Sequence, residues 1–117
     1  ADALIVSNHG GRQLDGAPSS IAALPGIVQA VGKDIEVWMD GGIRSGQDVL
    51  KARALGARGT LIGRSFLYGL GAYGELGVTR VLEIIRKELD LTMAFCGRTD
   101  INTVDTSILL PGTYPTP

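Results

Sequence analysis

This sequence has only one cysteine, no excess of positive charge and no long apolar run. The one cysteine, Cys96, excludes an internal disulfide and a cysteine-based metal cluster, and it is typical of a reducing compartment. Eleven Lys and Arg against twelve Asp and Glu give a net charge of −1, so we expect neither nucleic acid nor an anionic membrane surface as the main partner. No apolar run is long enough to cross a bilayer. We predict a globular protein without a metal site.

Glycine, in contrast, is abundant. The 17 glycines in 117 residues favour a backbone that turns tightly or approaches a ligand closely. The chain length predicts one domain over residues 1–117. Because Ala1 lies only two residues before the first apparent strand, we expect the sequence to be part of a longer chain.

Strand and helix patterns alternate along the chain. Short apolar runs predict strands, and a 3.6-residue apolar period predicts helices that begin near Ser20 and Ser45. Strands are predicted at 3–6, 35–39 and 60–62, helices at 20–31, 45–55 and 75–95, and a loosely structured tail at 98–117. Three strands separated by helices predict parallel pairing, as in a doubly wound sheet or a (β/α)₈ barrel.

Some local details can also be predicted. Pro25 is expected to kink the first helix or divide it in two. In the long helix, Leu82 is expected to face the core and Glu83 to pair with Lys87. Asp48 is expected to be a first-turn helix residue rather than a catalyst.

The segment Ser7–Asp15 follows the first predicted strand and contains the only histidine of the chain. His9 can accept a proton near neutral pH, and Arg12, three residues later, can bind a carboxylate through two parallel hydrogen bonds. A lone loop histidine is often merely structural. Its place at a strand end beside an arginine instead favours a site that binds and deprotonates a small carboxylic acid.

The other two strand ends resemble each other. Asp40-Gly41-Gly42-Ile43-Arg44 and Gly63-Arg64 each combine glycine with an arginine at the start of a helix. Glycine lets backbone amides approach an anion, and the N-terminus of the following helix attracts it. Two such loops on consecutive strands predict a phosphate site, a recurring feature of TIM barrels. This favours the barrel over the doubly wound sheet.

Together, residues 7–15, 40–46 and 62–64 resemble the FMN-dependent α-hydroxy acid oxidases and dehydrogenases, a family that includes glycolate oxidase and the L-lactate and mandelate dehydrogenases. The histidine segment is the diagnostic part. The resemblance implies a (β/α)₈ barrel, of which the chain would contain strands 6 to 8 and a long C-terminal helix. It also implies that the chain alone is inactive, because the five preceding strands would supply the rest of the site.

The resemblance further implies FMN-dependent oxidation of a small, lactate-like L-2-hydroxy acid to the 2-oxo acid. His9 would be the base and Arg12 would hold the substrate carboxylate. The ribityl-phosphate end of FMN would be held by Asp40, Gly41, Gly42, Arg44, Gly63 and Arg64. A homo-oligomer, tetrameric in the family, and an electron acceptor that is oxygen, a quinone or a cytochrome are implied as well. So is a cytoplasmic location, with association to the inner face of the membrane in some bacterial relatives.

Two other functions are compatible with the glycine loops alone. One is a non-catalytic phosphate- or nucleotide-binding module, and the other is a different phosphate-binding barrel enzyme. Neither needs a base beside a carboxylate-binding arginine, so the pair His9 and Arg12 distinguishes the flavin enzyme from both.

Overall fold

Short parallel strands and α-helices alternate along the computed structural model, which describes residues 1–117. The strands are β1 (Ala3–Val6), β2 (Glu36–Met39) and β3 (Gly59–Thr60), and the helices are α1 (Ser20–Val31), α2 (Gly46–Ala54) and α3 (Arg64–Phe95). The predicted α/β alternation is confirmed. No helix combines the length and the apolar character that a membrane crossing requires.

The sheet has the order β1-β2-β3, and both pairings are parallel. Ile5 is aligned with Trp38, which is in turn aligned with Gly59. The third strand is shorter than the predicted 60–62. Leu61 still donates its amide to the Met39 carbonyl at 2.9 Å, but the chain then turns at Gly63 into α3 and leaves the ladder. Because the strands are parallel, their carboxyl ends lie at one edge of the sheet.

The main core lies between the sheet and the helices α1 and α2. Leu24, Met39 and Ala52 are at most 2% exposed there. Pro25 is buried inside α1, which runs undivided from Ser20 to Val31. The expectation that Pro25 divides the helix is therefore wrong, and the packed core holds the helix together despite the missing amide donor.

The last helix, α3, starts eleven residues earlier than predicted, at Arg64 instead of Glu75. The sequence predicts a helical turn, a short apolar segment and glycine-containing turns before Glu75. These residues are helical instead, and a break in the helical backbone at Tyr73 and Gly74 separates them from the rest. The two parts of α3 cross in contact at Gly69 and Gly77, both of which are buried. A Cβ atom on Gly77 would overlap the Gly69 carbonyl oxygen.

Two details predicted for α3 are wrong. Leu82 is 52% exposed, because α3 packs mainly against α2 and buries only a narrow stripe, in which Ile85 is 9% exposed. Glu83 forms its ion pair with Arg80, at 3.2 Å, instead of with Lys87. Both charged residues of that pair are exposed, so we expect it to contribute little to stability.

The segment 98–117 was predicted as a loosely structured tail. It contains two 3₁₀ turns, Ile101–Thr103 and Thr106–Ile108, and Val104 packs against Leu50 and Ala54 of α2. Both turns are capped by aspartate side chains, and they form although the segment lacks the apolar period of a helix. The hydroxyl and the amide of Ser107 donate to Asp105 and lower the pKa of that carboxyl below its ordinary value. Residues 110–117 contain no helix or strand.

Candidate functional site

The carboxyl ends of the three strands border a cavity of about 870 Å³. Its wall combines the loop after β1, the loop after β2 and the start of α3. All eight residues that the sequence predicted for the site line this cavity: His9, Arg12, Asp40, Gly41, Gly42, Arg44, Gly63 and Arg64. The parallel sheet thus brings together three segments that lie far apart in the chain.

The loop after β1 is held by its own polar side chains. Ser7 Oγ accepts the His9 amide at 3.0 Å, and Asn8 Oδ1 accepts the Gly10 amide at 3.0 Å. The Asn8 side chain also donates to the Pro18 carbonyl at 3.2 Å, which ties the two ends of the loop together. The Ser-Asn pair before the histidine therefore shapes the backbone.

His9 has an unusual backbone conformation. Its φ of +56° makes it the only non-glycine residue of the chain in the left-handed region. Such residues carry strain and cluster at functional sites. The imidazole of His9 forms no hydrogen bond within the chain, and the exposed Arg12 forms no ion pair. Both side chains are therefore available to a ligand in the cavity.

Arg64 connects the third strand end to the histidine loop. Its Nη2 donates to the Gly10 carbonyl at 3.1 Å, across 54 residues of sequence. A guanidinium has five N–H donors, so this one bond leaves others for a ligand. Arg44, on the loop after β2, is exposed and forms no ion pair.

The sequence favoured the start of α2 as part of an anion site, but carboxylates of the protein itself accept amides there. Asp48 Oδ2 accepts the amides of Arg44 and Ser45, each at 3.0 Å. Glu88 Oε2, from α3, accepts the Gly46 amide at 2.9 Å. Two carboxylates of the protein itself thus cap this helix. Asp48 lies in the first turn of α2, as predicted, and it also forms a capping box with Ser45.

The start of α3 is open instead. Gly63 occupies the N-cap position and has no side chain to cap the amides of the first turn. Uncapped amides at a helix N-terminus attract anions. The part of the cavity whose chemistry suits an anion is therefore the start of α3 with Arg44 and Arg64, together with the Gly41-Gly42 loop. Both of these glycines have positive φ, +88° and +78°.

Two buried polar atoms in the cavity residues have no hydrogen-bond partner: Asp40 Oδ1 and Ser20 Oγ. Asp40 was predicted as a site residue, but Ser20 was expected only to start or cap α1. A serine at a helix start is an ordinary sequence feature. No signal in the sequence distinguishes a serine that is shielded without a partner from one that caps the helix.

Family, sequence and structure comparisons all match this chain to the same group of proteins. The family model of FMN-dependent dehydrogenases matches residues 1–111. L-lactate dehydrogenase from Pseudomonas syringae pv. syringae is 54% identical over 110 residues, which cover 94% of this chain and 29% of that protein. 2-Hydroxyacid oxidase 1 from Mus musculus is 49% identical over 108 residues, covering 92% and 29%.

A soluble mutant of the membrane-associated (S)-mandelate dehydrogenase from Pseudomonas putida has a similar structure. The TM-score is 0.88 at 45% identity, over 92% of this chain and 30% of that chain. The present chain thus spans slightly less than a third of the length of these proteins.

Proposed function

Because the chain belongs to the FMN-dependent dehydrogenase family, we propose that it forms one side of a site that oxidises a small, lactate-like L-2-hydroxy acid to the 2-oxo acid. The observation that carries this proposal is the convergence of all eight predicted residues on one cavity. The family is FMN-dependent and its relatives act as hydroxy acid oxidoreductases. The activity proposed is that of the protein in which this chain completes the site.

The proposed frame of the site is a (β/α)₈ barrel, in which β1, β2 and β3 are strands 6, 7 and 8. Three consecutive parallel strands with intervening helices support this placement, and so does a site at their carboxyl ends. In such a barrel the outer edges of β1 and β3 pair with further strands, which removes the two open edges of the sheet.

The residues of the cavity fit the ribityl-phosphate end of FMN. Asp40 has a shielded carboxylate oxygen without a donor, which suits the hydroxyl groups of a ribityl chain. The uncapped start of α3, with Gly63 and Arg64, suits a phosphate, and Arg44 adds a second positive charge. Gly41 and Gly42 leave the backbone open to close approach. When bound, FMN supplies the redox chemistry by accepting the two electrons of the substrate.

His9 and Arg12 form the substrate side of the proposed site. Arg12 binds the carboxylate of the hydroxy acid with two parallel hydrogen bonds and so fixes its orientation. His9 accepts a proton from the substrate, which requires the neutral imidazole. His9 lies on the loop after β1, where Ser7 and Asn8 hold its strained backbone. In this conformation the residue lines the cavity.

The proposal extends to the oligomeric state, the cellular location and the electron acceptor of the protein. Leu67, Tyr68, Tyr73 and Leu76 of α3 are between 51% and 80% exposed, which supports burial against further protein, including other subunits of a homo-oligomer. The free Cys96 supports a cytoplasmic location. A monotopic (S)-mandelate dehydrogenase among the similar structures supports peripheral contact with a membrane. The proposed electron acceptor is oxygen, a quinone or a cytochrome.

Replacement of His9 by Asn tests the proposal. Asn is one of the residues that tolerate the left-handed conformation, so His9→Asn removes the base with little change of the backbone. In the full-length protein we expect turnover of L-lactate with an artificial acceptor to fall by roughly 10²- to 10⁴-fold while FMN content stays constant. Gln13→Ala, an exposed change in the same loop, is the control and should retain turnover. Unchanged turnover in His9→Asn would remove His9 from the mechanism.

A further inference from the structure

Ser20 is the only polar side chain among the buried residues of the chain. It is 4% exposed, and its Oγ has no hydrogen-bond partner. A shielded hydroxyl without a partner lowers stability, and such groups are rare in folded proteins. This unpaired hydroxyl therefore points to a partner that arrives with a ligand.

The position of Ser20 in the cavity wall identifies the place of that ligand. A Cβ atom on Gly41 would lie 2.9 Å from Ser20 Oγ and 3.5 Å from Asn8 Oδ1. A side chain at position 41 would thus collide with Ser20 Oγ, and glycine lets the backbone lie directly against that hydroxyl. A polar group that approaches the Gly41 backbone comes within reach of the Ser20 hydroxyl.

Helix capping does not account for the Ser20 hydroxyl. Ser20 is the first residue of α1, whereas the N-cap position belongs to Ser19, whose side chain makes no capping hydrogen bond. Because Ser20 Oγ has no partner of any kind within the chain, a backbone-stabilising role has no contact to support it.

We propose that Ser20 is a further residue of the FMN site and that its hydroxyl donates a hydrogen bond to an oxygen of the ribityl-phosphate end beside Gly41. The inference rests on the proposed function, which places that end of the cofactor at Asp40, Gly41 and Gly42. A serine hydroxyl reorients by rotation about its side-chain bonds, so the donor reaches the cavity without movement of α1.

The test is the affinity of FMN-free, full-length protein for FMN, measured by fluorescence titration. Ser20→Ala removes only the hydroxyl, and we expect the Kd for FMN to rise roughly tenfold, as for the loss of one hydrogen bond to a ligand. The thermal unfolding midpoint of the FMN-free protein should stay constant or rise, because the variant also removes an unpaired buried polar atom. Thr79→Ala, an exposed hydroxyl on α3, is the matched control and should change neither quantity.

The outcomes separate this inference from the proposed function. If the unsubstituted protein does not bind FMN, both fail. If it binds FMN and Ser20→Ala binds equally well, only the role of Ser20 is overturned. A weaker affinity accompanied by a lower unfolding midpoint of the FMN-free variant would also overturn it, because the hydroxyl would then be structural.

Discussion

At the scale of single residues, Asp48 and Glu88 hold the start of α2 from two directions. Asp48 accepts amides from its own loop, and Glu88 reaches the Gly46 amide from α3. The same amides could have bound an anion, but a carboxylate that already accepts them excludes a second negative charge. The helix start left open at the cavity is therefore that of α3, with Arg44 and Arg64 beside it.

Loss of the Asp48 cap should lower stability. Asp48→Ala removes the acceptor of the Arg44 and Ser45 amides, so we expect the free energy of unfolding in urea to fall by about 1–2 kcal/mol. Asp90→Ala, at an exposed position of α3, serves as the comparison and should change it by less than about 0.5 kcal/mol. Equal stability of the two variants would show that the cap contributes nothing.

At the scale of elements, the break in α3 sets the position of the helix start that follows β3. Tyr73 and Gly74 interrupt the helix, and the parts before and after them cross at Gly69 and Gly77. Without side chains at the crossing, the two backbones approach to contact. The first part of α3 is thereby positioned so that its open N-terminus, with Gly63 and Arg64, borders the cavity.

An alanine at the crossing should disturb both stability and the site. The Cβ of Gly77→Ala meets the Gly69 carbonyl oxygen, so the crossing must open, and we expect a loss of about 1–3 kcal/mol in unfolding free energy together with weaker FMN binding. Gly71→Ala is the control, because no atom lies within 4 Å of its Cβ position. That variant should gain up to about 1 kcal/mol in stability from helix propensity. Calorimetry and FMN titration of both proteins check the prediction, and equal behaviour would contradict it.

At the scale of the whole molecule, β1 and β3 are open edge strands of the sheet. Apolar side chains on β1 and directly after β3 are exposed. Ile5 on β1 is 54% exposed, and Leu61 after β3 is 41% exposed. A barrel of this kind needs eight strands to close around its site. The three strands of this chain supply His9 and Arg12 but only one part of the wall around them.

The 117-residue chain by itself should therefore not oxidise 2-hydroxy acids. A flavin absorbance spectrum after incubation with FMN, followed by an L-lactate turnover assay, measures this directly. The full-length protein, assayed in parallel, provides the positive control. Measurable turnover by the pure chain, abolished in its His9→Asn variant, would show that three strands suffice for the chemistry.

Local sequence patterns predicted some elements well and others poorly, for identifiable reasons. The strand β1 and the helix α1 begin and end where apolar period and strand length placed them. The first part of α3 was missed because Gly69, Gly71 and Gly74 lower its helix propensity, and its packing against Gly77 compensates only in the folded chain. The predicted third strand extended too far, because β3 pairs with β2 and β2 ends at Met39.

The sequence by itself determined the alternation of strands and helices, the eight polar and glycine residues at the strand ends, and the membership of an FMN-dependent family. Only the tertiary structure decided which helix start is open to an anion, because the cap from Glu88 lies 42 residues away from Gly46. It also decided that Ser20 is shielded without a partner beside Gly41. Hydrogen-bond partners and burial depend on segments that packing brings together, and the local order of residues does not contain that information.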